Sequence, residues 1–459
     1  MYQIDFDKPI WIHFIGIGGI SMSGLAEVLL GRGFQVSGSD SVKSALTEKL
    51  KADGARIFYG QRAANIVDGI DAVVYTAAVH ADNEEFQAAQ KNGIPMLTRA
   101  ELLGQMMRNF PTAVAVAGTH GKTTTTSMVT EILLAGDCDP TISVGGMLDS
   151  IGGNIRVGKS DLFVTEACEY TNSFLALYPT IGVILNICED HLDFFKDIQD
   201  IRNSFRRFAE RIPKQGLLII DSGIPDYQEI TEGLACRICS IGTRPEDDFC
   251  VSNITFDGYA NPSFLVKEKD GAELSYSLSV PGEHNVSNAL AAIAVGREIG
   301  LEPETICSGL QNFTGTHRRF ERKGTLGGIT IIDDYAHHPD EIRATLTTAR
   351  KWKADRVVCV FQPHTYTRTK ALMEEFADAL SLADAVVLAE IYPARETDTL
   401  GISSRNLAER IKDRGTEVHY FPSFDEIENF LLENSMNGDL LITMGAGDIV
   451  IVGEKLLGR

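Results

Sequence analysis

The chain has 459 residues, of which 44% are hydrophobic and 23% are charged, and its formal net charge is -21. This charge argues against nucleic acid and anionic membrane surfaces as partners, because both attract basic faces. The acidic first residues and the absence of a run of about 18 apolar residues argue against a signal peptide and a membrane span, so we expect a cytoplasmic protein.

The first segment alternates between strand and helix patterns. A strand at IWIHFIGIG precedes a glycine-rich turn, and a helix is predicted from Ser21 to Arg32. Strands at FQVSGSD and DAVVYTAA and a helix over 83–91 continue the alternation. This order is typical of a parallel, doubly wound sheet. We expect residues 1–108 to form a Rossmann-like nucleotide-binding domain.

The second and third segments show the same alternation. Residues 109–319 are predicted to form a central ATP-binding domain, with strands at TAVAVA, DLFVTEA, IGVILNI and LLIIDSG, a β-rich stretch over 249–280 and a helix over 287–298. Residues 320–459 contain strands at GITIIDDYA, RVVCVFQPH, AVVLAEIY and DLLITMGAGD. The sequence therefore predicts an α/β fold with three lobes, and ligands at the carboxyl ends of strands.

A phosphate-binding loop is predicted between the strand TAVAVA and the helix after it. The loop consists of Gly118, Thr119, His120, Gly121, Lys122, Thr123 and Thr124. Its glycines let N–H groups face phosphate oxygens, Lys122 can reach the β and γ phosphates, and the Thr123 hydroxyl can ligate Mg²⁺. The longer nucleotide motif would need glycine where Val116 stands, so the loop is a shortened variant.

A second glycine-rich turn follows the first strand and includes Gly16, Gly18 and Gly19. It resembles a dinucleotide fingerprint, with Asp40 at the end of the second strand, although Ser21 replaces the third glycine. The pattern predicts a diphosphate at the helix N-terminus and Asp40 near a ribose or base. A tight turn without a ligand is the alternative.

Acidic residues and a histidine follow two strands of the central segment. Glu166 ends the strand DLFVTEA, and Asp190, His191 and Asp193 follow IGVILNI. A carboxylate and an imidazole at these strand ends could hold Mg²⁺ on ATP. The alternatives are a cap or salt bridge for Glu166 and a structural, hydrogen-bonded role for His191.

Polar residues also follow two strands of the third segment. Asp334, Tyr335 and His338 follow the first strand, and His364 and Arg368 follow the second. Such clusters at successive strand ends are typical of sites, and Arg368 could hold a carboxylate through two hydrogen bonds. A solvated loop is the alternative.

The chain resembles the Mur ligase family over essentially its whole length. The resemblance is carried by eight motifs in the family's order: HFIGIGGISMSGLAEVL, GTHGKTTT, NICEDHLD, PGEHNVSNALAA, HRRFE, IIDDYAHHP, FQPHTYTRT and MGAGD. It implies an enzyme that uses ATP and Mg²⁺ to join L-alanine to the carboxylate of UDP-N-acetylmuramate through an acyl phosphate. This reaction would start the peptidoglycan stem peptide, in a monomer or a homodimer.

The resemblance also implies residue roles. Thr123, Glu166 and His191 would hold Mg²⁺, while His284 and Asn285 would lie at the ATP base or ribose. The catalytic residues would be Lys122, Glu166, His191, Arg319, His338 and Arg368, with Arg319 near the phosphates. The uridine nucleotide would contact Gly16, Gly18, Gly19, Ser21 and Asp40. The amino-acid end would be lined by Asp334, Tyr335, His338, His364 and Arg368.

This chain departs from the family pattern in two places, and several other functions are alternatives to this interpretation. The family often reads E-A-D-E-S-D where this chain has EACEYT from Glu166 to Thr171, and many members have arginine where Thr365 stands. The nearest rival is a recycling ligase that attaches a whole tripeptide to the same UDP-sugar. Others are a folate or cyanophycin type of amide ligase, an NAD-dependent dehydrogenase and a nucleotide-gated regulatory protein.

Overall fold

The computed structural model describes residues 2–76, 79–191, 194–269, 271, 273–394, 396–398 and 400–459. In this part of the chain the fold is α/β, with three sheets. The strands are β1 (Trp11–Ile15), β2 (Gln35–Asp40), β3 (Arg56–Tyr59), β4 (Ala72–Tyr75), β5 (Met96–Thr98), β6 (Thr112–Ala117), β7 (Thr141–Leu148), β8 (Gly153–Arg156), β9 (Leu162–Ala167), β10 (Ile181–Ile184), β11 (Leu217–Asp221), β12 (Arg237–Gly242), β13 (Phe249–Phe256), β14 (Pro262–Glu268), β15 (Glu273–Ser277), β16 (Glu321–Leu326), β17 (Ile329–Asp334), β18 (Arg356–Phe361), β19 (Ala385–Leu388), β20 (Glu417–Tyr420) and β21 (Asp439–Met444).

The helices have ordinary lengths, and several begin with a side-chain cap. They are α1 (Ile20–Gly31), α2 (Ala45–Ala52), α3 (Glu84–Lys91), α4 (Arg99–Met107), α5 (Lys122–Ala135), α6 (Ile198–Ala209), α7 (Gln228–Thr231), α8 (His284–Ile299), α9 (Pro303–Asn312), α10 (Pro339–Lys351), α11 (Tyr366–Ala371), α12 (Met373–Leu380), α13 (Ser404–Asp413), α14 (Phe424–Asn434) and α15 (Val450–Leu456). At the start of α4, Thr98 and Glu101 form a reciprocal capping box. None of the described helices is long and apolar enough to cross a bilayer.

The first sheet is parallel and has the strand order β3-β2-β1-β4-β5. Its order reverses at β1, which pairs with β2 on one side and β4 on the other. Alternate residues of β1 enter different cores, with Phe14 in one and Ile15 in the other. The reversal places the glycine-rich turn after β1 at a switch point, where doubly wound sheets bind ligands.

The central sheet has the order β15-β14-β13-β12-β11-β10-β6-β9-β7-β8. Strand β6 lies between β10 and β9 and pairs with both in parallel. Its residues 113–117 are buried, which explains the continuous apolar run in its sequence. The segments that follow β6, β9 and β10 therefore leave one edge of the sheet side by side.

The third sheet has the order β16-β17-β21-β18-β19-β20 and is parallel except for the edge strand β16. Neighbouring residues of β17 face opposite cores. Ile332 packs in the core that includes α10, α12 and α13, and Ile331 packs in the one that includes α14 and α15. Helices thus cover both faces, as the apolar strand sequences predict.

The described chain divides into two compact units. One contains residues 1–251, 266–274 and 287–310, and the other contains 252–265, 275–286 and 311–459. The boundaries predicted at residues 108 and 319 for three functional domains remain predictions.

Most of the predicted elements are present. For α8, the observed first residue differs most from the predicted one. The prediction placed the start at Ser287, but the helix begins at His284. The amide of Asn285 donates to the Pro281 oxygen at 2.7 Å, and the Val286 N–H donates to the Glu283 oxygen at 2.9 Å. These bonds close the first turn early, so His284 and Asn285 lie at the helix N-terminus.

Candidate active site

The loop between β6 and α5 is held in shape by glycines and by Asn186. Gly118 has φ 148° and Gly121 has φ 84°, both in the region that favours glycine. The His120 N–H donates to the Asn186 side-chain oxygen at 2.8 Å, and the Asn186 amide donates to the His120 oxygen at 3.0 Å. Asn186 follows β10, so the neighbouring strand fixes the path of the loop.

Lys122 lies inside this loop, and its side chain is only 16% exposed. Its ammonium donates to the carbonyl oxygens of Gly118 and Thr119 at 2.6 and 3.0 Å, and to a Glu169 carboxylate oxygen at 2.9 Å. Burial is the largest single influence and disfavours the charged amine, but the charge and hydrogen bond of Glu169, together with the charges of Cys168 and Glu166, outweigh it and raise the pKa of Lys122. The loop therefore presents a fixed positive charge.

The predicted metal ligands lie around the same edge of the sheet. Glu166 is in β9, and its carboxylate accepts a hydrogen bond from the Gly145 N–H. His191 follows β10, and its Nε2 lies 3.8 Å from a Glu169 oxygen and 3.7 Å from an Asp190 oxygen. Thus Glu169, rather than Glu166, is the carboxylate beside both Lys122 and His191. Asp193 lies outside the described residues.

These side chains fit a magnesium site by their chemistry. Thr123 supplies a hydroxyl in the first turn of α5, and Glu166, Glu169 and Asp190 supply carboxylates. Oxygen donors suit Mg²⁺, and the phosphates of a nucleotide complete such sites. A carboxylate cluster next to a phosphate-type loop is the donor set that a metal–nucleotide complex needs. His191 adds an imidazole.

The glycine-rich turn after β1 is joined to Asp40. The Gly18 N–H donates to Asp40 Oδ2 at 2.8 Å, and the Val42 N–H donates to Oδ1 at 3.2 Å. A Cβ on Gly18 would lie 2.8 Å from that same Oδ2. Gly19 caps α1, with Ser21 in the first turn. Asp40 therefore shapes the turn as well as facing any ligand there.

The third sheet gathers its predicted residues at the ends of β17 and β18. Asp334 is 7% exposed and accepts from the N–H groups of Ala336 and Phe320 at 2.7 and 3.0 Å. Burial raises the pKa of Asp334 to about 6, although the Arg319 charge opposes this shift. Tyr335 follows, with its ring 5.3 Å from the Arg319 guanidinium carbon. His338 is buried and caps α10.

His364 and Arg368 lie together after β18. The Arg368 guanidinium is 3.5 Å from His364 Nδ1, and the His364 ring contacts those of Tyr392 and His337, each at 5.7 Å between centroids. Burial, with the charges of His337 and Arg368, lowers the pKa of His364 to about 4. The imidazole is therefore neutral at neutral pH.

His284 borders a cavity in the second compact unit. The cavity has a volume of about 400 Å³ and is lined by Glu283, His284, Asp340, Arg343, Ala344, Thr347, Thr348 and Lys351. Arg319 contributes its charge to the surroundings of both His284 and Asp334.

Sequence reasoning missed three residues that shape the site. Asn186 and Glu169 contact the loop as described above, and Asn288 accepts a hydrogen bond from the Thr125 hydroxyl at 3.3 Å. A Cβ on Gly121 would lie 2.3 Å from the same Asn288 oxygen. Asn186 ends the buried run IGVILN, and a polar residue at that position was the signal available for it.

The chain is similar to known proteins over nearly its whole length. Family models for the "Mur ligase family, catalytic domain", the "Mur ligase middle domain" and the "Mur ligase, glutamate ligase domain" match residues 11–111, 116–296 and 318–447. A protein from Agathobacter rectalis named UDP-N-acetylmuramate--L-alanine ligase is 60% identical over 459 residues and covers 100% of both chains.

Two solved structures share the fold. The UDP-N-acetylmuramate-alanine ligase from Thermotoga maritima has a TM-score of 0.81 and 31% identity, with 98% of this chain and 99% of that chain covered. A murein peptide ligase from Psychrobacter arcticus has a TM-score of 0.71 and 26% identity, with 98% of each chain covered. Since three family models span nearly all of the sequence and a full-length relative is 60% identical, the chain belongs to the Mur ligase family.

Proposed function

We propose that this protein uses ATP to join L-alanine to the carboxylate of UDP-N-acetylmuramate, the first addition to the peptidoglycan stem peptide. The observation that carries the proposal is the 60% identity, over the whole chain, to a relative that bears the name of this activity. The loop around Lys122 supports the proposal, since it leads into the N-terminus of α5 and carries one buried cation, features that suit a nucleotide phosphate.

In this reaction the muramate carboxylate attacks the γ-phosphorus of ATP, the bond to the β-phosphate oxygen breaks, and ADP leaves. The alanine amine then attacks the acyl phosphate carbonyl, inorganic phosphate leaves, and the amine loses a proton as the amide forms. Catalysis of such steps is mostly positioning and charge neutralisation. The ammonium of Lys122 would stabilise the transferring phosphoryl group.

Mg²⁺ would be held by Thr123, Glu166 and His191, where it would neutralise phosphate charge. Gly118, Thr119, His120, Gly121 and Thr124 would surround the phosphates, and Arg319 would lie near them. His284 and Asn285 would contact the ATP base or ribose, for which the cavity beside His284 offers space.

The other two substrates would bind at the remaining strand ends. The turn containing Gly16, Gly18, Gly19 and Ser21 would hold the diphosphate of the UDP-sugar, with Asp40, which accepts the Gly18 N–H, near the ribose or base. Asp334, Tyr335, His338, His364 and Arg368 would line the amino-acid end, with the Arg368 guanidinium facing the alanine carboxylate. Because ATP and UDP-sugars are cytoplasmic metabolites, the reaction would take place in the cytoplasm, in a monomer or a homodimer.

The test is phosphate release in the presence of ATP, Mg²⁺ and UDP-N-acetylmuramate, with single amino acids or the tripeptide added in turn. We expect release that depends on L-alanine. Release with the tripeptide alone would assign the chain to the recycling activity instead. No release with any acceptor would contradict both.

A further inference from the structure

Tyr170 lies against His191 at the edge where the loop of Lys122 also lies. The centroids of the two rings are 4.5 Å apart and their planes make an angle of 32°. The adjacent residue, Glu169, is the carboxylate that contacts both the Lys122 ammonium and the His191 imidazole. Glu169 therefore contacts both Lys122 and His191, and Tyr170 contacts His191. The proposed reaction uses both of these side chains.

The segment that carries Tyr170 is held in place by contacts of Phe174 and Asn172. The Phe174 N–H donates to the Cys168 oxygen at 2.9 Å, and the Phe174 ring stacks on Phe208 of α6 with centroids 4.9 Å apart. The Ser204 hydroxyl donates to the Asn172 side chain, which extends the attachment to the same helix. Asn172 also has φ 59°, in the left-handed region. This anchored backbone fixes where the Tyr170 ring can lie.

The backbone of His191 is strained and its imidazole is partly exposed, so the orientation of the ring depends on its neighbours. Its φ is 55°, which is unusual for a non-glycine residue, and its side chain is 23% exposed. Phe194 adds a second ring near Tyr170, with centroids 6.2 Å apart. With the imidazole held against Tyr170, Nε2 faces Glu169 and Asp190. Without that ring, the exposed imidazole could rotate away.

We propose that Tyr170 is a positioning residue that holds the His191 imidazole in the orientation for metal binding. This inference rests on the proposed function, because it takes His191 as a ligand of the metal on ATP. The observed contact is between the two rings, so we assign the effect to the phenol ring. Aromatic contacts contribute specific geometry beyond the area they bury.

The test measures metal binding directly, with Mn²⁺ as the probe and ADP present. Electron paramagnetic resonance of free Mn²⁺ gives the dissociation constant for the wild type, Tyr170→Phe and Tyr170→Leu, and Tyr259→Leu serves as a control at an exposed tyrosine. We expect Tyr170→Leu to weaken Mn²⁺ binding about tenfold. Tyr170→Phe should stay within about twofold of the wild type, since it keeps the ring.

Wild-type Mn²⁺ affinity in Tyr170→Leu would overturn the proposal, and so would equal losses in Tyr170→Phe and Tyr170→Leu. If Tyr170→Leu does not fold, Tyr170→Met replaces it, because methionine fills similar space without a flat ring. The measurement needs neither the UDP-sugar nor L-alanine. A failure of alanine-dependent turnover would therefore contradict the proposed function without changing the result for Tyr170.

Discussion

At the scale of single residues, the proposed phosphoryl transfer depends on Lys122 and on the groups that keep its ammonium charged. Its ammonium sits among two loop carbonyls and the buried Glu169. A buried cation with a carboxylate partner remains protonated, and its pKa is raised rather than lowered. The ion pair is therefore complete below the ordinary pKa of lysine and is lost only when the pH rises through the higher, folded value.

We expect Lys122→Met to lower alanine-dependent phosphate release by about a thousandfold, because it removes the charge that stabilises the transferring phosphoryl group. Binding of the UDP-sugar, measured by calorimetry, should be almost unchanged. Lys214→Met at an exposed position is the matched control. Full activity in Lys122→Met would rule out the assigned phosphoryl-transfer role.

Asp40 belongs to the proposed UDP-sugar site. Its carboxylate accepts from the Gly18 and Val42 N–H groups, so Asp40→Asn should disturb the first turn and raise the KM for UDP-N-acetylmuramate about tenfold. The KM for ATP should stay within about twofold. Initial rates at varied concentrations of each substrate check this, with the exposed Asp53→Asn as control. A defect confined to ATP would mean that the turn serves the other nucleotide.

At the scale of elements, the strand–loop–helix unit of β6 and α5 works only with its neighbours. Gly121 is the N-cap of α5 and has a left-handed backbone, and its Cα faces Asn288 of α8. The backbone and the neighbouring helix both demand glycine there. This position joins the geometry of the loop to the packing of α8.

Gly121→Ala should therefore destabilise the protein by about 1–3 kcal/mol and raise the KM for ATP. Thermal unfolding and ATP-dependent initial rates measure the two effects. Gly258→Ala is the control, because a Cβ there would have no heavy atom within 4 Å. Wild-type stability in the Gly121→Ala variant would show that the loop adapts to a side chain.

At the scale of the whole molecule, the half-buried His364 and the buried Asp334 of the third sheet act in opposite directions on stability. His364 has a folded pKa of about 4 against an ordinary 6.5, with His337, Arg368 and Glu396 as its charged neighbours. The unfolded chain thus takes up the proton first, and the free energy of unfolding decreases as the pH falls from 6.5 to 4. The pKa of Asp334 is raised to about 6 in the folded state. The folded chain therefore binds this proton first, and the free energy of unfolding increases as the pH falls over the same range.

We expect His364→Asn to gain about 2–3 kcal/mol of stability relative to the wild type between pH 7 and pH 4.5, because the variant lacks the histidine that the unfolded chain protonates first, whereas Asp334 contributes equally to both proteins. Urea unfolding at both pH values measures the change. The exposed His80→Asn should show no such gain. A difference that is the same at both pH values would contradict the predicted His364 shift.

The sequence by itself determined the α/β class, the positions of the glycine-rich loops and the family. The class and the loops depend on neighbouring residues, since an apolar strand, a glycine turn and a helix start follow one another directly, and the family depends on the order of eight such motifs along the chain. The helix predicted from Ser21 to Arg32 is α1, at Ile20–Gly31. The full-length relatives confirm the family that the ordered motifs indicated.

Only the tertiary structure decided which side chains support the loops. His120 and Asn186 are 66 positions apart, Lys122 and Glu169 are 47 apart, and Thr125 and Asn288 are 163 apart. The order of strands brings β9 and β10 to either side of β6, and no local pattern encodes that order. Glu169 was ambiguous in the sequence because the pattern after Glu166 departs from that of the family. Its role became visible when the folded chain placed its carboxylate on the ammonium of Lys122, since a contact between distant residues depends on packing and not on local propensity.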